Sequence, residues 1–278
     1  MTETVAASAP VPASPDGPAA RRRADGLATV GLPLAGLVVA GVAWWLTTSV
    51  SHLIHPAVLP PPGDVLAAFR AQSGLLMKAT LATALETLVG FLLSTVAGVL
   101  IGLALAASSV LERMFAPLLV AVNAVPKIAL GPLLVVALDW GQKPILTMVF
   151  LLCFFPIVLS TATGLTTTPA DLAELSRSLG ATRWQAFRKV RLPAALPQIF
   201  VGLKVAMPLA AIGAVIGEFE AGEGGLGFVI VQFSGVGDTA TAWAAILLIA
   251  LTSILLYFAV LRAERLALPW VRETTSAR

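Results

Sequence analysis

Six times along this chain an apolar run reaches about 20 residues, the length an α-helix needs to cross the hydrocarbon core of a bilayer. The runs cover residues 28–50, 80–106, 115–138, 145–165, 197–219 and 242–261. Lipid offers backbone groups no partners, so each run must satisfy its own hydrogen bonds as a helix. The expected fold is an all-α membrane protein of six transmembrane helices. Composition agrees: 58% of the 278 residues are hydrophobic and 12% charged, where soluble domains average about 45–50% and about 25%.

An even number of spans puts both ends on one side, and lysine and arginine say which, because positive loops stay cytoplasmic. With the N-terminus inside, thirteen of the eighteen basic residues are cytoplasmic: Arg21, Arg22, Arg23, Arg113, the five within 177–191, and Arg262, Arg265, Arg272 and Arg278. Arg70, Lys78 and Lys143 fall outside, while Lys127 and Lys204 lie within spans. Residues 1–24, rich in Ala, Pro and Ser without an apolar period, are expected to form a disordered cytoplasmic tail. A membrane domain over 25–268 and a second cytoplasmic tail over 269–278 follow. The first run is longer than a signal-peptide core and lacks an A-x-A end, so it is read as a retained span.

Cys153 is the only cysteine and lies inside the fourth run, which excludes an intrachain disulfide and a cysteine-rich metal site. His52 and His55 have helical metal-pair spacing, but Pro56 opposes a helix there and no carboxylate or cysteine is adjacent, so no metal site is expected. After prolines 60 to 62, Asp64 is placed to cap a short surface helix. Small residues recur every fourth position in the second span, at Gly90, Ser94, Gly98, Gly102 and Ala106, and in the fifth at Ala206, Ala210 and Ala214 beside Gly213 and Gly217. Such stripes let helix backbones approach closely and predict a tight bundle.

The third run, "LLVAVNAVPKIALGPLLVVAL", holds Pro126, Gly131 and Pro132. Proline within a span is tolerated where the freed backbone faces protein or a water-lined cavity, and interrupted helices often line a pathway. Lys127 beside this break costs at least ~2.5 kcal/mol if it faces lipid, so it is expected to face the interior. It either lines a pathway, with Asn123 and Glu218 as companions, or holds helices together by pairing with a carboxylate such as Glu86 or Glu218. Lys204 can snorkel to the interface. The glycine-rich stretch from Gly217 to Gly237, with "FVIVQF" inside it, is expected to form a structured, re-entrant outer cap.

Between the fourth and fifth spans lies "ELSRSLGATRWQAFRKVRLPAALP", residues 174–197, with five basic residues. Pro169, Ala170 and Asp171 start a helix that runs to Gly180, a residue suited to the left-handed conformation that ends helices. A second helix then carries Ala181, Trp184, Phe187, Val190 and Ala194 at three- to four-residue steps and is expected to stop at Pro193. A lipid-resting basic helix accounts for the charge but not for the hinge. The spacing from Glu174 to Gly180 to Val190 to Leu192-Pro193 resembles the EAA signature of permease subunits in bacterial ABC importers, with Leu175 and Ser176 replacing the alanines and Val190 the isoleucine.

That resemblance runs from about residue 59 to residue 270. "VPKIALGPL", "FFPIVLSTATGL" and "AAIGAVIGEFEAGEGGLGF" are similar to the nitrate, taurine and sulfonate importer class, which also takes in importers of thiamine precursors and riboflavin. Glu86, where the sulfonate branch more often has arginine, favours the vitamin-precursor branch. The resemblance implies a plasma-membrane permease working as a homodimer in lipid, with two ATP-binding subunits and an extracytoplasmic substrate-binding protein. The loop over 170–196 would dock the ATPase through Glu174, Gly180, Ala181, Trp184, Val190, Leu192 and Pro193. No G-x-x-x-x-G-K-[ST] occurs in the chain, so ATP and magnesium are expected on the partner, with no cofactor, nucleic acid or catalytic residue here. The alternative, an ion-coupled secondary transporter, needs inverted repeats that the two halves do not display. An intramembrane enzyme needs an H-E-x-x-H or G-x-S-x-G motif, and neither is present.

Overall fold

The computed structural model describes residues 18–270 apart from 52, 53, 168 and 169. His52, Pro169 and most of the two expected tails lie outside the described residues. No strand occurs among those described. Residues up to Pro56 form one compact unit and those from Ala57 another.

The first unit is helix α1 (Pro18–Trp45), which widens into a π-helical turn at Leu46–Val50. There the hydroxyls of Thr47 and Thr48 donate back to the Trp44 carbonyl at 3.0 and 2.8 Å, a bond that competes with the regular ladder.

The second unit opens with α2 (Pro62–Ala71). Asp64 does not cap it: Pro61 holds that position and Asp64 sits in the first turn, where its charge instead meets the positive end of the helix dipole. Helix α3 (Ser73–Ala107) has 35 residues, about 52 Å at 1.5 Å per residue, so it outruns a 30 Å core. Ser108 then turns extended and caps α4 (Ser109–Ala124) by accepting from the Leu111 N–H.

The third expected span is broken. Val125 is extended, as a residue before proline must be. A 3-10 turn at Lys127–Leu130 leads into α5 (Gly131–Leu138), bent by 79° from α4. Helix α6 (Gln142–Thr166) is followed by the short α7 (Ala170–Ser178) and α8 (Arg183–Ala186). The expected stop at Pro193 does not occur. A π-helical turn at Phe187–Arg191 runs straight into α9 (Leu192–Ala221), giving 39 unbroken residues from Arg183. The wide turn opens the backbone ahead of the proline ring, so neither its bulk nor its missing N–H ends the helix. Helices α10 (Gly225–Gly235) and α11 (Thr239–Ala267) complete the chain, Asp238 capping α11 through the Thr241 N–H at 3.0 Å.

At the centre α6 packs lengthwise on both α3 and α9. The stripes read from the sequence make this possible. A Cβ on Gly90 would fall 2.6 Å from the Val149 Cβ, and one on Gly213 would fall 2.8 Å from the Val149 Cα. Val149 is thus gripped between two glycines, and Thr161 and Ile145 meet Gly102 and Gly217 in the same way. Cavity-free contact of this kind replaces the hydrophobic drive that lipid cannot supply. Four helices, α3, α6, the run ending in α9, and α11, are long and apolar enough to span, and the bent pair makes a fifth candidate.

Candidate functional site

Around the 170–196 segment the chain builds an elbow. Helix α7 ends in a glycine-capped turn: Gly180 has φ 68° and the Ala181 N–H reaches the Ser176 carbonyl at 3.0 Å. Space is open around Gly180, so its need for glycine is conformational. Thr182 then caps α8 in a reciprocal box with Gln185, at 3.3 Å to the Gln185 N–H and 2.9 Å back to the Thr182 N–H. The expected sequence of helix, hinge and second helix is what the chain forms, with the second start at Arg183 rather than Ala181.

This elbow leaves large apolar groups uncovered. Leu179 is 77% exposed and Trp184 65%, the latter stacked on Phe187. Grooves flank it, one of about 480 Å³ between α7 and the second helix, reached by Leu172, Leu175, Gly180, Ala181 and Val190. Glu174 stands exposed on α7, and Leu192 and Pro193 are half-buried where the π-turn meets α9.

Asn123 and Lys127 come together at the bend, the Lys127 Nζ donating to Asn123 Oδ1 at 2.5 Å. The alternative pairing of Lys127 with Glu86 or Glu218 is not formed; among the described residues the ion pair is Lys204 with Glu264, at 2.8 Å. Lys204 therefore ties α9 to α11, a partnership 60 residues apart that span-reading did not reveal.

Glu218 goes elsewhere. It is 1% exposed. Its Oε1 accepts from the Thr83 hydroxyl and its Oε2 from the Gly227 N–H, both at 2.6 Å. Thr83 Oγ1 in turn accepts from the Leu226 N–H at 2.8 Å. The first N–H groups of α10, which have no intrahelical partner, are thus satisfied by side chains of α3 and α9. Gly225, at φ 89°, and Gly227 let that backbone approach: a Cβ on Gly227 would fall 2.7 Å from the Val215 carbonyl oxygen. Within the glycine-rich stretch the chain forms helix α10. Thr83, Leu226 and Gly227 were not singled out by sequence; only the run of glycines hinted at close backbone approach.

No group of three or more histidines, cysteines or acids lies close enough to hold a metal among the described residues.

Known proteins resemble this chain along most of its length. The chain is 36% identical over 244 residues to the riboflavin transport system permease protein RibX of Chloroflexus aurantiacus, covering 87% of this chain and 90% of the relative. It is 37% identical over 186 residues to the formylaminopyrimidine transport permease protein ThiX of Halalkalibacterium halodurans, covering 66% and 73%. Its fold superposes on a chain of the methionine ABC transporter MetNI in inward-facing conformations with a TM-score of 0.60, at 25% identity, over 71% of this chain and 98% of that one. The pattern of the family described as binding-protein-dependent transport system inner membrane component matches residues 94–273. A match of that length, which contains the elbow, the bent span and α9 to α11 whole, sets the secondary transporter aside: the chain belongs to that family and is a multi-pass permease subunit of an ABC importer.

Proposed function

We propose that two copies of this chain form the translocation pathway of an ATP-driven importer, with two ATP-hydrolysing subunits docked on the 170–196 elbow and solute delivered by an extracytoplasmic binding protein. ATP and magnesium belong to those subunits; this chain binds no cofactor, metal or nucleic acid and does no covalent chemistry. Six spans cross the bacterial plasma membrane, the first of them the run over 28–50, with residues 1–24 and 269–278 as cytoplasmic tails. The excess of basic residues in the N-terminal, elbow and C-terminal segments supports that orientation. Glu174, Gly180, Ala181, Trp184, Val190, Leu192 and Pro193 belong to the docking loop. Asn123 and Lys127 flank the pathway, while Glu218 acts at one remove, by holding α10 in place. Riboflavin and formylaminopyrimidine, named for the two relatives, point to a small nitrogen heterocycle as the solute.

The observation that carries this reading is the elbow, which holds Leu179 and Trp184 out in the open on either side of a glycine-fixed turn. Exposed aromatic anchors of this kind dominate protein interfaces. A rigid two-helix elbow continuous with a 39-residue helix transmits closure of an ATPase pair as rigid-body motion. Purification of the tagged chain from its own host tests this: wild type should retain the ATPase, and Trp184→Glu should lose roughly tenfold of it, the effect of about 1.4 kcal/mol at an interface. Full retention and normal uptake by Trp184→Glu would refute the docking role.

A further inference from the structure

The elbow has a second side, which faces the end of α3. A groove of about 410 Å³ lies there, its lining formed by Ala107 of α3 with Ala186, Phe187 and Val190, and its charge supplied by Arg183 and Arg191. That volume falls within the range of small-molecule sites, about 300–1,000 Å³. The groove of about 480 Å³ on the other side carries the open leucines of α7, a surface made for protein; this one carries two cations that cannot be neutralised by losing a proton. No carboxylate is in its lining, and the ion pair found among the described residues joins Lys204 to Glu264 and involves neither arginine.

The backbone is shaped to put both arginines on the same groove. Eight residues of regular α-helix make about 2.2 turns, which would swing Arg191 away from the side that carries Arg183. The π-helical turn at Phe187–Arg191 underwinds the helix, and both line the same space. Depth in the membrane narrows the ligand. The apolar run over 80–106 ends one residue before Ala107, the last residue of α3, so the groove sits where hydrocarbon gives way to headgroups. Back along α3 from Ala107, exposed residues follow at three- to four-residue steps: Ala104, Leu100, Val96 and Leu93, the last three each more than half exposed. That spacing is one face of a helix. An apolar track thus leads out of hydrocarbon into a cationic groove at headgroup level.

We infer that this groove binds the headgroup of an anionic phospholipid, its phosphate held by Arg183 and Arg191 and an acyl chain laid along Leu100, Val96 and Leu93. Guanidinium groups meet phosphate oxygens with paired N–H donors, and basic pockets beside membrane-spanning helices are matched to anionic headgroups. A zwitterionic headgroup is disfavoured, because its ammonium meets the same two charges. The inference goes beyond the importer reading, from which it takes only the cytoplasmic side of the elbow: one side of the elbow meets the ATPase and the other meets lipid.

The test uses the complete importer purified in detergent, with phosphatidylglycerol, phosphatidylcholine and inorganic phosphate as probes, and native mass spectrometry to count what stays bound. Wild type should retain phosphatidylglycerol in preference to phosphatidylcholine. Arg183→Gln combined with Arg191→Gln should weaken that retention by roughly tenfold or more. Arg188→Gln removes the same charge from a position outside the groove's lining and should leave retention unchanged. Leu100→Gln keeps both arginines and breaks the apolar track, so it should weaken retention of the lipid. Equal retention by the monodisperse double variant, equal loss on Arg188→Gln, or arginine-dependent capture of inorganic phosphate without lipid overturns the site. Loss of the ATPase from the double variant with lipid retention intact also overturns it, by assigning the two arginines to the protein interface.

Discussion

A carboxylate buried to 1% exposure within a membrane protein invites a role in moving ions, yet the bonds Glu218 makes to Thr83 and Gly227 are ones a structural tie requires. It accepts one hydroxyl and one backbone N–H, and through Thr83 it also fixes the Leu226 N–H. Glutamine can keep this arrangement, because its oxygen can accept from Gly227 while its amide donates to Thr83, whose hydroxyl turns to the Ala79 carbonyl 3.1 Å away. Alanine cannot, and leaves buried donors at the start of α10 without acceptors, at about 1–3 kcal/mol each. Glu218→Gln is therefore expected to keep ATP-driven uptake within about twofold, and Glu218→Ala to lower the thermal stability of the purified permease and to expose α10 to protease, its cost lying near the ~2–3 kcal/mol typical of one lost buried acceptor. A carboxylate that had to ionise for transport would fail as glutamine, so inactive but stable Glu218→Gln would overturn the structural role.

Among the elements, the elbow depends on a single dihedral. With φ 68°, Gly180 occupies the left-handed region, which costs other residues roughly 1–2 kcal/mol but asparagine less. Because no atom crowds it, side-chain size alone should be tolerated. Coupled ATPase activity is expected to fall in the order Gly, Asn, Ala, Val at this position, with membrane insertion unchanged; equal activity in Asn and Val variants would show that the turn does not govern coupling. That hinge was legible in the sequence because its determinant is one residue in a local helix-ending pattern. The small-residue stripes were legible for the same reason, since period four on α3 and α9 needs no knowledge of what fills it. Glycine spacing foretold the close approach but not its object, Val149 on α6. The 79° bend was foreshadowed only as an interruption, because Pro126 dictates that Val125 be extended but leaves the later direction to the packing of α5. The tie between Thr83 and Glu218 spans 135 residues, and no local pattern carries a pairing of that range. Proline at 193 misled for a physical reason: the π-turn before it is invisible to a reading based on 3.6-residue periodicity.

At the scale of the whole molecule, α4 presents an unresolved balance: none of its residues is buried, yet it bears Asn123 and, at its end, leads into Lys127. A face with such groups gains by meeting protein or water rather than lipid, where a lysine costs at least ~2.5 kcal/mol. The second copy proposed above would supply both if its two-fold axis ran beside α4, with the bend then lining the space between. The exposed face of α11, by contrast, holds Leu251, Ile254, Leu255 and Phe258 and suits hydrocarbon. Cysteine cross-linking separates these faces. The native Cys153 is buried, its Sγ donating to the Ala206 carbonyl at 3.3 Å, and Cys153→Ala gives a silent background. In that background Val120→Cys, about one turn before Asn123 on α4, should form an oxidised species of twice the monomer mass in membranes, and Leu255→Cys should not. Cross-linking through Leu255→Cys with none through Val120→Cys would move the pathway to the other side of the bundle.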